Sequence, residues 1–312
     1  MIAQTAQPAS FRLTLARGQA LELVAHEPLL MGVVNITPDS FSDGGKYFSP
    51  ERAIEHGLRL IDEGADLLDL GAESTRPRGA TYGEGASAVS AREELARLLP
   101  VLAGLRRQSA VPVSIDTRKA EVARAAFDAG ADLLNDVSGL DEPATAVFAA
   151  EVGCPVVLMH HRGIFAPASS ATAAVSPDRV VEELLAGLAA LLARALAAGC
   201  RRDQLVLDPG LGFGKHGEQN LEILRRLPEL GELGRPLLVG ASRKSFLGEA
   251  GAPPAAAAAA PADRLPESLA AAAWAAAGGA SILRVHDVAA TRRFLGAWRA
   301  IAAQPESRGR RA

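Results

Sequence analysis

The sequence is short of cysteine, of basic charge and of long hydrophobic runs, and each shortage excludes a class of protein. Its 312 residues hold two cysteines, Cys154 and Cys200, and neither has metal-ligand spacing around it, so both are interpreted as ordinary thiols of a reducing compartment. The net charge is -3 and the only basic cluster is the terminal SRGRRA, so no nucleic-acid-binding surface is expected. The longest apolar run, 269–283, is shorter than the roughly 18 residues that a membrane span needs.

Three further signals are missing. No Gly-x-Gly-x-x-Gly turn follows the first apolar run, which argues against a dinucleotide fold, and LDPGLGFGK lacks the P-loop spacing. The amino-terminal segment lacks the apolar core of a signal peptide. We therefore expect a soluble cytoplasmic protein that binds small molecules, and neither nucleic acid nor a membrane.

Short apolar runs bounded by turn residues recur along the chain. Three of them begin alike, as GADLLDLG, GADLLNDV and GASILRVH. Their length and their bias toward Val, Ile and Leu are typical of parallel strands covered on both faces. There are eight such runs: LLMGVVNIT, ADLLDLGA, VPVSIDT, ADLLNDV, PVVLMH, LVLDPG, PLLVGAS and SILRVHD.

Helical patterns fill most of the gaps between these runs. Ser49-Pro50 predicts a helix start, and segments 90–107 and 178–199 repeat the apolar spacing of an amphipathic helix. Eight strand-then-helix units predict an α/β protein, a single-domain (β/α)8 TIM barrel, over residues 28–298. Residues 1–27 then form an N-terminal extension, and 299–312 a basic, disordered tail. The alanine-rich stretch 252–263 is expected to be a surface loop.

Polar side chains end every predicted strand. In a barrel these ends meet at one mouth, where the connecting loops form the active site. One Asp or Asn at a strand end is commonly a turn or helix cap, but eight strands with polar ends favour a shared site. The expected ring consists of Asn35, Asp69, Asp116, Asn135, His160, Asp208, Ser242 to Ser245, Arg284 and His286.

Part of this ring suits a flat, donor-rich heterocycle. Asp116 and Asp208 supply carboxylate acceptors, and Asn135 supplies an amide that both donates and accepts. Lys244 is open to two interpretations, a structural ion pair with Asp208 or a cation that reaches the ligand.

Another part suits a phosphate-bearing ligand. Arg76, Arg284 and His286 would offer charge-assisted donors to an anion. Asn35 could add an oxygen ligand to a magnesium ion that is held mostly by substrate phosphates and water.

Two long loops rich in Gly, Ser and Pro, TPDSFSDGGKYFSP and STRPRGATYGEGAS, are expected to fold over the mouth and exclude water. Phe41 and Pro77 would add apolar cover. The charged residues that follow Asp69, beginning with Glu73, would belong to this lid.

Taken in order, MGVVNITPDSFSDGG, DLGAESTRP, SIDTRK, NDVSG, LMHHRG, LDPGLGFGK, GASRKSFLG and ILRVHDV closely resemble the dihydropteroate synthases, over about residues 29–290. The resemblance implies a transferase of folate biosynthesis and a sulfonamide target. Such an enzyme condenses 6-hydroxymethyl-7,8-dihydropterin pyrophosphate with p-aminobenzoate, with Mg²⁺, to give 7,8-dihydropteroate and pyrophosphate. It also implies a homodimer.

The resemblance further implies a role for each matching residue. Catalysis would fall to Asp69, Lys244, Arg284 and His286, with Asp69 near the reacting methylene. The pterin would lie on Asp116, Asn135, Asp208 and Lys244. The pyrophosphate would lie on Asn35, Thr75, Arg76, Arg284 and His286, with Asn35 also on the metal. The p-aminobenzoate pocket would comprise Phe41, Thr75, Pro77, Phe213 and Ser245, beside Lys244.

Three features depart from the family pattern. They are the segment LMHHRG and its following loop, which carries His161, the longer loop after STRP, and Pro-Glu in DRLPESLA where glycine is common. Neighbouring strand residues face opposite ways, so a metal role for His161 is not favoured. A corrinoid-dependent methyltransferase would need the pterin residues but not STRP, the lysine of SRK or RVHD. A catalytically silent homologue would not need both substrate sets, although one sequence leaves it open.

Overall fold

The computed structural model describes residues 10–37, 49–73, 89–162, 175–251 and 260–302. Its strands are β1 Ser10–Thr14, β2 Ala20–Val24, β3 Leu29–Asn35, β4 Leu67–Gly71, β5 Val113–Asp116, β6 Leu133–Asp136, β7 Val156–Met159, β8 Leu205–Asp208, β9 Leu238–Val239 and β10 Ile282–Val285. Its α-helices are α1 Pro50–Asp62, α2 Ala91–Arg106, α3 Ala120–Asp128, α4 Pro143–Val152, α5 Val180–Ala197, α6 Gly217–Arg225, α7 Ser245–Gly251, α8 Leu265–Ala277 and α9 Val288–Ala302.

Eight of the strands form one parallel sheet in the order β8-β7-β6-β5-β4-β3-β10-β9. A parallel bridge between Leu207 and Leu237 joins its two edges, so the sheet curls into a barrel with the helices outside. The predicted (β/α)8 barrel is confirmed. The unit after β9 has one helix more than the sequence predicted, because α7 precedes α8.

Local signals set the helix starts as predicted. The Ser49 hydroxyl accepts the N–H of Arg52 at 3.4 Å, and the Ser90 hydroxyl accepts the N–H of Glu93 at 3.2 Å. Each cap satisfies a donor that the first helical turn leaves without a partner. Helix α5 ends two residues before Gly199, whose φ of +99° lies in the left-handed region that favours glycine.

Alternation along the strands divides the barrel interior into layers. The layer at the amino ends of the strands is apolar and buried, and it is formed by Met31, Leu67, Leu133, Val157, Val206, Leu238 and Ile282. Successive strand residues face opposite sides, so the residue two positions further along each strand also points into the barrel. This layer is the floor of the candidate site.

A hairpin closes the barrel beneath that floor. Strands β1 and β2 pair antiparallel, and Leu13 and Leu23 on them are fully buried against the floor layer. The sequence analysis treated 1–27 only as an extension, although the alternation in FRLTL and LELV is typical of strands. Part of that extension therefore belongs to the barrel core, while residues 1–9 lie outside the described ranges.

A buried carboxylate ties this hairpin to the barrel. Asp132 is 0 % exposed and accepts hydrogen bonds from Nε of Arg17 at 2.7 Å, from the N–H of Val113 at 2.8 Å and from the guanidinium of Arg106. Arg17 follows β1, so the cluster joins the hairpin to α2 and to β5. A buried charge is tolerated only when it is paired and hydrogen-bonded in this way.

Two predicted boundary segments lie mostly outside the described residues. Helix α9 continues past residue 298 to Ala302, and 303–312 are not described. Of the alanine-rich stretch, 252–259 are not described and 261–263 form a 3-10 turn before α8. In the part of the chain that is described, no helix combines the length and the apolarity of a membrane span.

We predict that Asp132→Ala lowers the free energy of unfolding by about 2–3 kcal/mol, because it removes a buried acceptor of hydrogen bonds from Arg106, from the partly exposed Arg17 and from the N–H of Val113. Urea denaturation measures the loss. The matched control is Arg12→Ala, which removes the exposed hairpin pair between Arg12 and Glu22 and should change stability by less than about 1 kcal/mol. Equal losses in the two variants would contradict the structural role given to Asp132.

Candidate active site

The second layer of the barrel interior is polar. On four strands, the residue two positions beyond a floor residue carries a charge or an amide: Asp69 after Leu67, Asn135 after Leu133, Asp208 after Val206 and Arg284 after Ile282. Asp116 lies at the carboxyl end of β5, where it pairs in register with Gly71 and Asn135. The barrel thus brings together predicted residues from five strands.

Arg284 lies at the centre of this group. Its Nε donates to Oδ2 of Asp69 at 2.7 Å, and its Nη2 donates to Oδ2 of Asp116 at 3.2 Å. The amide of Asn135 donates to the same Asp69 oxygen at 3.1 Å. Arg284, which is predicted to hold the pyrophosphate, is therefore hydrogen-bonded to two predicted site acids. Asp116 is predicted to hold the pterin, and Asp69 to lie near the reacting methylene.

Burial in the barrel changes how readily Asp116 and Asp208 ionise. Burial, followed by the charge of Asp69, raises the pKa of Asp116, and the charge of Arg284 opposes the shift. Burial also raises the pKa of Asp208, whose Oδ1 accepts the N–H of Gly210 at 2.7 Å. Oδ1 of Asp69 is buried and has no hydrogen-bond partner among the described residues. Such groups favour a ligand that brings its own donors.

The first interpretation of Lys244, an ion pair with Asp208, is not found among the described residues, and the second stays a prediction. Lys244 is in none of the ion pairs of the described residues, and its Nζ lies 4.2 Å from the centre of the Phe213 ring, a cation–π contact. Burial, and then the charge of Arg284, lower the pKa of Lys244 to about 8. Ser245, the next residue, begins α7.

The turn that presents Lys244 rests on contacts that the sequence analysis missed. Arg243 has a φ of +60°, which is unusual for a residue with a side chain. Its guanidinium donates to both carboxylate oxygens of Asp287, at 2.6 and 3.0 Å, and its N–H donates to the hydroxyl of Ser268 at 2.9 Å. Nothing in SRK predicts that backbone conformation, since it depends on partners from α8 and the loop after β10.

His286 corrects an expectation about charge. Its Nδ1 lies 3.0 Å from the hydroxyl of Ser242, which also accepts the N–H of His286 at 3.2 Å. Burial, and then the charge of Arg284, lower the pKa of His286 to about 3. Without a ligand the imidazole is therefore neutral and is not a charge-assisted donor. Of Arg284 and His286, Arg284 is the one that carries the positive charge.

Asn35 is the described residue best suited to a magnesium ion. It ends β3 and is half-buried, on the inward side that Met31 and Val33 also occupy. No three His, Cys, Asp or Glu side chains among the described residues form a metal-binding group. One amide oxygen fits a Mg²⁺ that takes its other ligands from phosphate and water.

Of the two histidines after β7, His160 lies outside this ring. Met159 faces the interior with Val137 and Phe213, so the next residue, His160, faces outward. The His160 ring packs against Gly187 of α5, and a Cβ at Gly187 would overlap the ring. Burial lowers the pKa of His160 to about 3. His161 lies 3.2 Å from the carbonyl of Ser138. Including His160 in the ring was wrong because strand alternation excludes it.

Glu73 was also misassigned. It is 8 % exposed, its Oε1 accepts the N–H of Val89 at 2.9 Å, and its Oε2 pairs with Lys119 at 3.0 Å and Arg118 at 3.3 Å. It therefore anchors the base of the loop to the segment after β5 instead of belonging to a lid. The predicted residues Phe41, Thr75, Arg76 and Pro77 lie outside the described residues, as does most of both loops.

The fold and the site define a TIM-barrel enzyme whose mouth places buried acids and an amide around one guanidinium. Such a site suits a polar ring that carries an anionic group. A family described as pterin binding enzyme matches residues 31–286. The chain belongs to this family, and within it to the dihydropteroate synthases, the transferases that make 7,8-dihydropteroate in folate biosynthesis.

Three relatives illustrate the similarity. A dihydropteroate synthase of Synechocystis sp. is 43 % identical over 274 residues, which cover 88 % of this chain and 90 % of the relative. A Xanthomonas albilineans dihydropteroate synthase solved with 4-aminobenzoic acid has a TM-score of 0.83 and 45 % identity, covering 95 % of this chain and 100 % of the other. The enzyme of the same species in complex with 7,8-dihydropteroate has a TM-score of 0.78 and 43 % identity, with coverages of 94 % and 100 %.

We predict a descending limb in the pH dependence of kcat/KM for dihydropterin pyrophosphate, because the protonated Lys244 is the better donor and its pKa is about 8. Above that pH the value should fall about tenfold per pH unit. In Lys244→Arg the cation stays protonated, so the limb should move beyond the measurable range even if the rate is lower. A limb that persists near pH 8 in this variant would contradict the assignment.

Proposed function

We propose that the second layer of the barrel binds the pterin and that the pyrophosphate lies above it, toward the loops. The observation that carries this proposal is the buried cluster of Arg284 with Asp69, Asp116 and Asn135. It supplies acceptors and donors for a heterocycle together with a guanidinium that an anion can recruit.

The pterin is assigned to Asp116, Asn135, Asp208 and Lys244. The pyrimidine edge of a pterin presents an amino group, a ring N–H and a carbonyl, which need acceptors and a donor in one plane. The two carboxyls and the amide supply the acceptors, and the ammonium of Lys244 supplies a donor. A buried site of this kind rejects rings that leave its polar groups without partners.

The pyrophosphate is assigned to Arg284 and His286, with Thr75 and Arg76 from the loop after β4 and Asn35 through the metal. When bound, Mg²⁺ supplies charge that neutralises the leaving group. Arg284 adds a charged donor, and the neutral His286 adds an N–H to the developing negative charge. We expect Arg284 to exchange part of its contact with Asp69 and Asp116 for the phosphate oxygens.

That exchange would give Asp69 its role. The reaction breaks the bond between the pterin methylene carbon and the pyrophosphate oxygen, and it forms a bond from that carbon to the aniline nitrogen, which then loses a proton. Carbon–oxygen cleavage leaves positive charge on the pterin and methylene. The carboxylate of Asp69, released in part from Arg284, would stabilise that charge, so no covalent intermediate on the protein is needed.

The p-aminobenzoate pocket is assigned to Phe213 and Ser245 beside Lys244, completed by Phe41, Thr75 and Pro77. The contact between Phe213 and Lys244 supports it, since an aromatic face next to a cation suits an aryl carboxylate. Sulfonamides, which are aryl amines with an acidic group, should compete for the same pocket. The aniline nitrogen is already nucleophilic at neutral pH, so positioning is the main contribution of this pocket.

We predict that Arg284→Ala lowers kcat/KM about 10²–10³-fold, because it removes the charged donor to the leaving group. The assay follows dihydropteroate and pyrophosphate together, with Mg²⁺ and again with a chelator, which should abolish the reaction. Arg12→Ala, an exposed hairpin arginine, is the matched control and should keep full activity. If the unaltered chain binds pterin by calorimetry but forms no product, it is a silent homologue and the proposal fails.

We also propose that two copies associate through the face formed by α6, α7 and α8. A groove of about 350 Å³ lies there between Leu221, Leu224, Leu247 and Trp274, and Trp274 is 55 % exposed. Large exposed apolar surfaces commonly mark contacts between proteins. Arg225 and Glu267 also line the groove, so a second copy would bring charges of both signs to it.

The cysteines support a location in the reducing cytoplasm. Both Cys154 and Cys200 are buried free thiols, and burial raises the pKa of Cys154 to about 12.

Sedimentation velocity tests this dimer. Ala270→Arg adds a charge to the groove without removing a buried side chain, and we expect it to convert the dimer to a monomer. The matched control is Val147→Arg, an equally large change at an exposed apolar position of α4, which should leave the dimer intact. A monomeric unaltered chain, or a dimer that survives Ala270→Arg, would exclude this face.

A further inference from the structure

One buried cation takes no part in the proposed chemistry. Lys215, in the loop between β8 and α6, is 3 % exposed. Its Nζ donates to three backbone carbonyls, those of His160 at 2.9 Å, Gly210 at 3.0 Å and Phe213 at 3.5 Å. It appears in none of the ion pairs of the described residues. The three ammonium protons are thus matched to three carbonyl oxygens.

These carbonyls come from two different loops of the mouth. His160 follows β7, whereas Gly210 and Phe213 follow β8. Backbone bonds support the same junction, since the N–H of Arg162 donates to the carbonyl of Phe213 at 3.3 Å. The ammonium of Lys215 therefore joins neighbouring loops at the point where both leave the barrel.

The turn is shaped to wrap around that ammonium. Gly210, Gly212 and Gly214 have φ values of +61°, +78° and +69°, and a Cβ at Gly210 would overlap the carbonyl oxygen of His160. Asn220 of α6 secures the outside of the turn, with Oδ1 accepting from Gly212 and Nδ2 donating to the carbonyl of Lys215, both at 2.8 Å.

The turn carries Phe213, whose ring joins two site components. One side of the ring packs with Val137 and Met159 in the barrel interior, and Nζ of Lys244 lies 4.2 Å from its centre. A shift of the 210–214 turn would therefore move the ring and remove the surface on which the Lys244 ammonium rests.

We propose that Lys215 is a positioning residue of the synthase reaction, which holds the 210–214 turn against the end of β7 and so fixes the Phe213 ring beside Lys244. This inference rests on the assignment of Phe213 and Lys244 to the substrate pockets. Replacing the buried lysine removes the donor of the His160 carbonyl and one of two donors to the carbonyls of Gly210 and Phe213, which keep the N–H groups of Phe213 and Arg162. The tie between the two loops is then weaker, and the turn relaxes to satisfy the His160 carbonyl.

The test is Lys215→Met, assayed with both substrates and normalised to folded protein. We expect KM for p-aminobenzoate to rise about tenfold or more, because small displacements of a positioning group are costly. KM for dihydropterin pyrophosphate should change less, because most of its assigned partners lie on the strands. Lys215→Arg, which keeps a charged donor, should recover part of the affinity for p-aminobenzoate.

A double-mutant cycle with Phe213→Ala identifies the route of the effect. If Lys215 acts through Phe213, Lys215→Met should add little to the KM change in a Phe213→Ala background. Additive effects would overturn the proposal. If Lys215→Met does not fold, Lys215→Gln replaces it in the cycle, since its amide retains two donors.

Leu23→Ala in the hairpin is the matched stability control, since it loosens the opposite end of the barrel. It should lower the Tm while leaving both KM values unchanged. If Lys215→Met or Lys215→Gln behaves like Leu23→Ala, Lys215 is only structural and the inference fails. These outcomes are distinct from failure of the proposed function, in which the unaltered chain forms no dihydropteroate.

Discussion

The mouth of this barrel depends on one ion-paired cluster. Asp69 is fully enclosed, and burying a carboxyl group is costly unless donors lie beside it, which Arg284 and Asn135 provide. Because Arg284 also reaches Asp116, one guanidinium holds acids from two strands together. In the proposed reaction, a ligand that brings an anion would compete for that guanidinium and free the acids for its own donors. Stability without ligand and recognition of ligand would then use the same contacts.

The barrel assigns stability and chemistry to opposite ends. At the amino ends of the strands the apolar floor, the β1–β2 hairpin and the Asp132 cluster close the interior completely. At the carboxyl ends the polar layer begins only two residues above that floor. Four of the strands that carry site residues, β5, β6, β8 and β10, are only four residues long. The packed floor beneath them explains how such short strands can hold charged groups in a defined arrangement.

Much of the candidate site was predictable from the sequence because the barrel leaves few alternatives. Once eight apolar runs imply eight parallel strands, the polar residue that ends each run must lie at the mouth, and this holds for Asp69, Asn135, Asp208 and Arg284. His160 fails the same rule because the inward position belongs to Met159. Glu73 fails because its partners, Lys119 and Arg118, come from a distant part of the chain that no local pattern identifies.

The sequence by itself therefore determined the fold class, the family and most of the residues that meet in the polar layer of the barrel, because periodicity, turn residues and motifs are local properties. Only the tertiary structure decided how these residues behave together. It pairs Arg284 with two acids and leaves His286 neutral. It also places the Lys244 ammonium over the Phe213 ring and encloses Lys215 among three carbonyls. Each of these depends on burial and on partners far away in the chain, and desolvation and through-space charge are properties of the folded molecule that no short stretch of sequence contains.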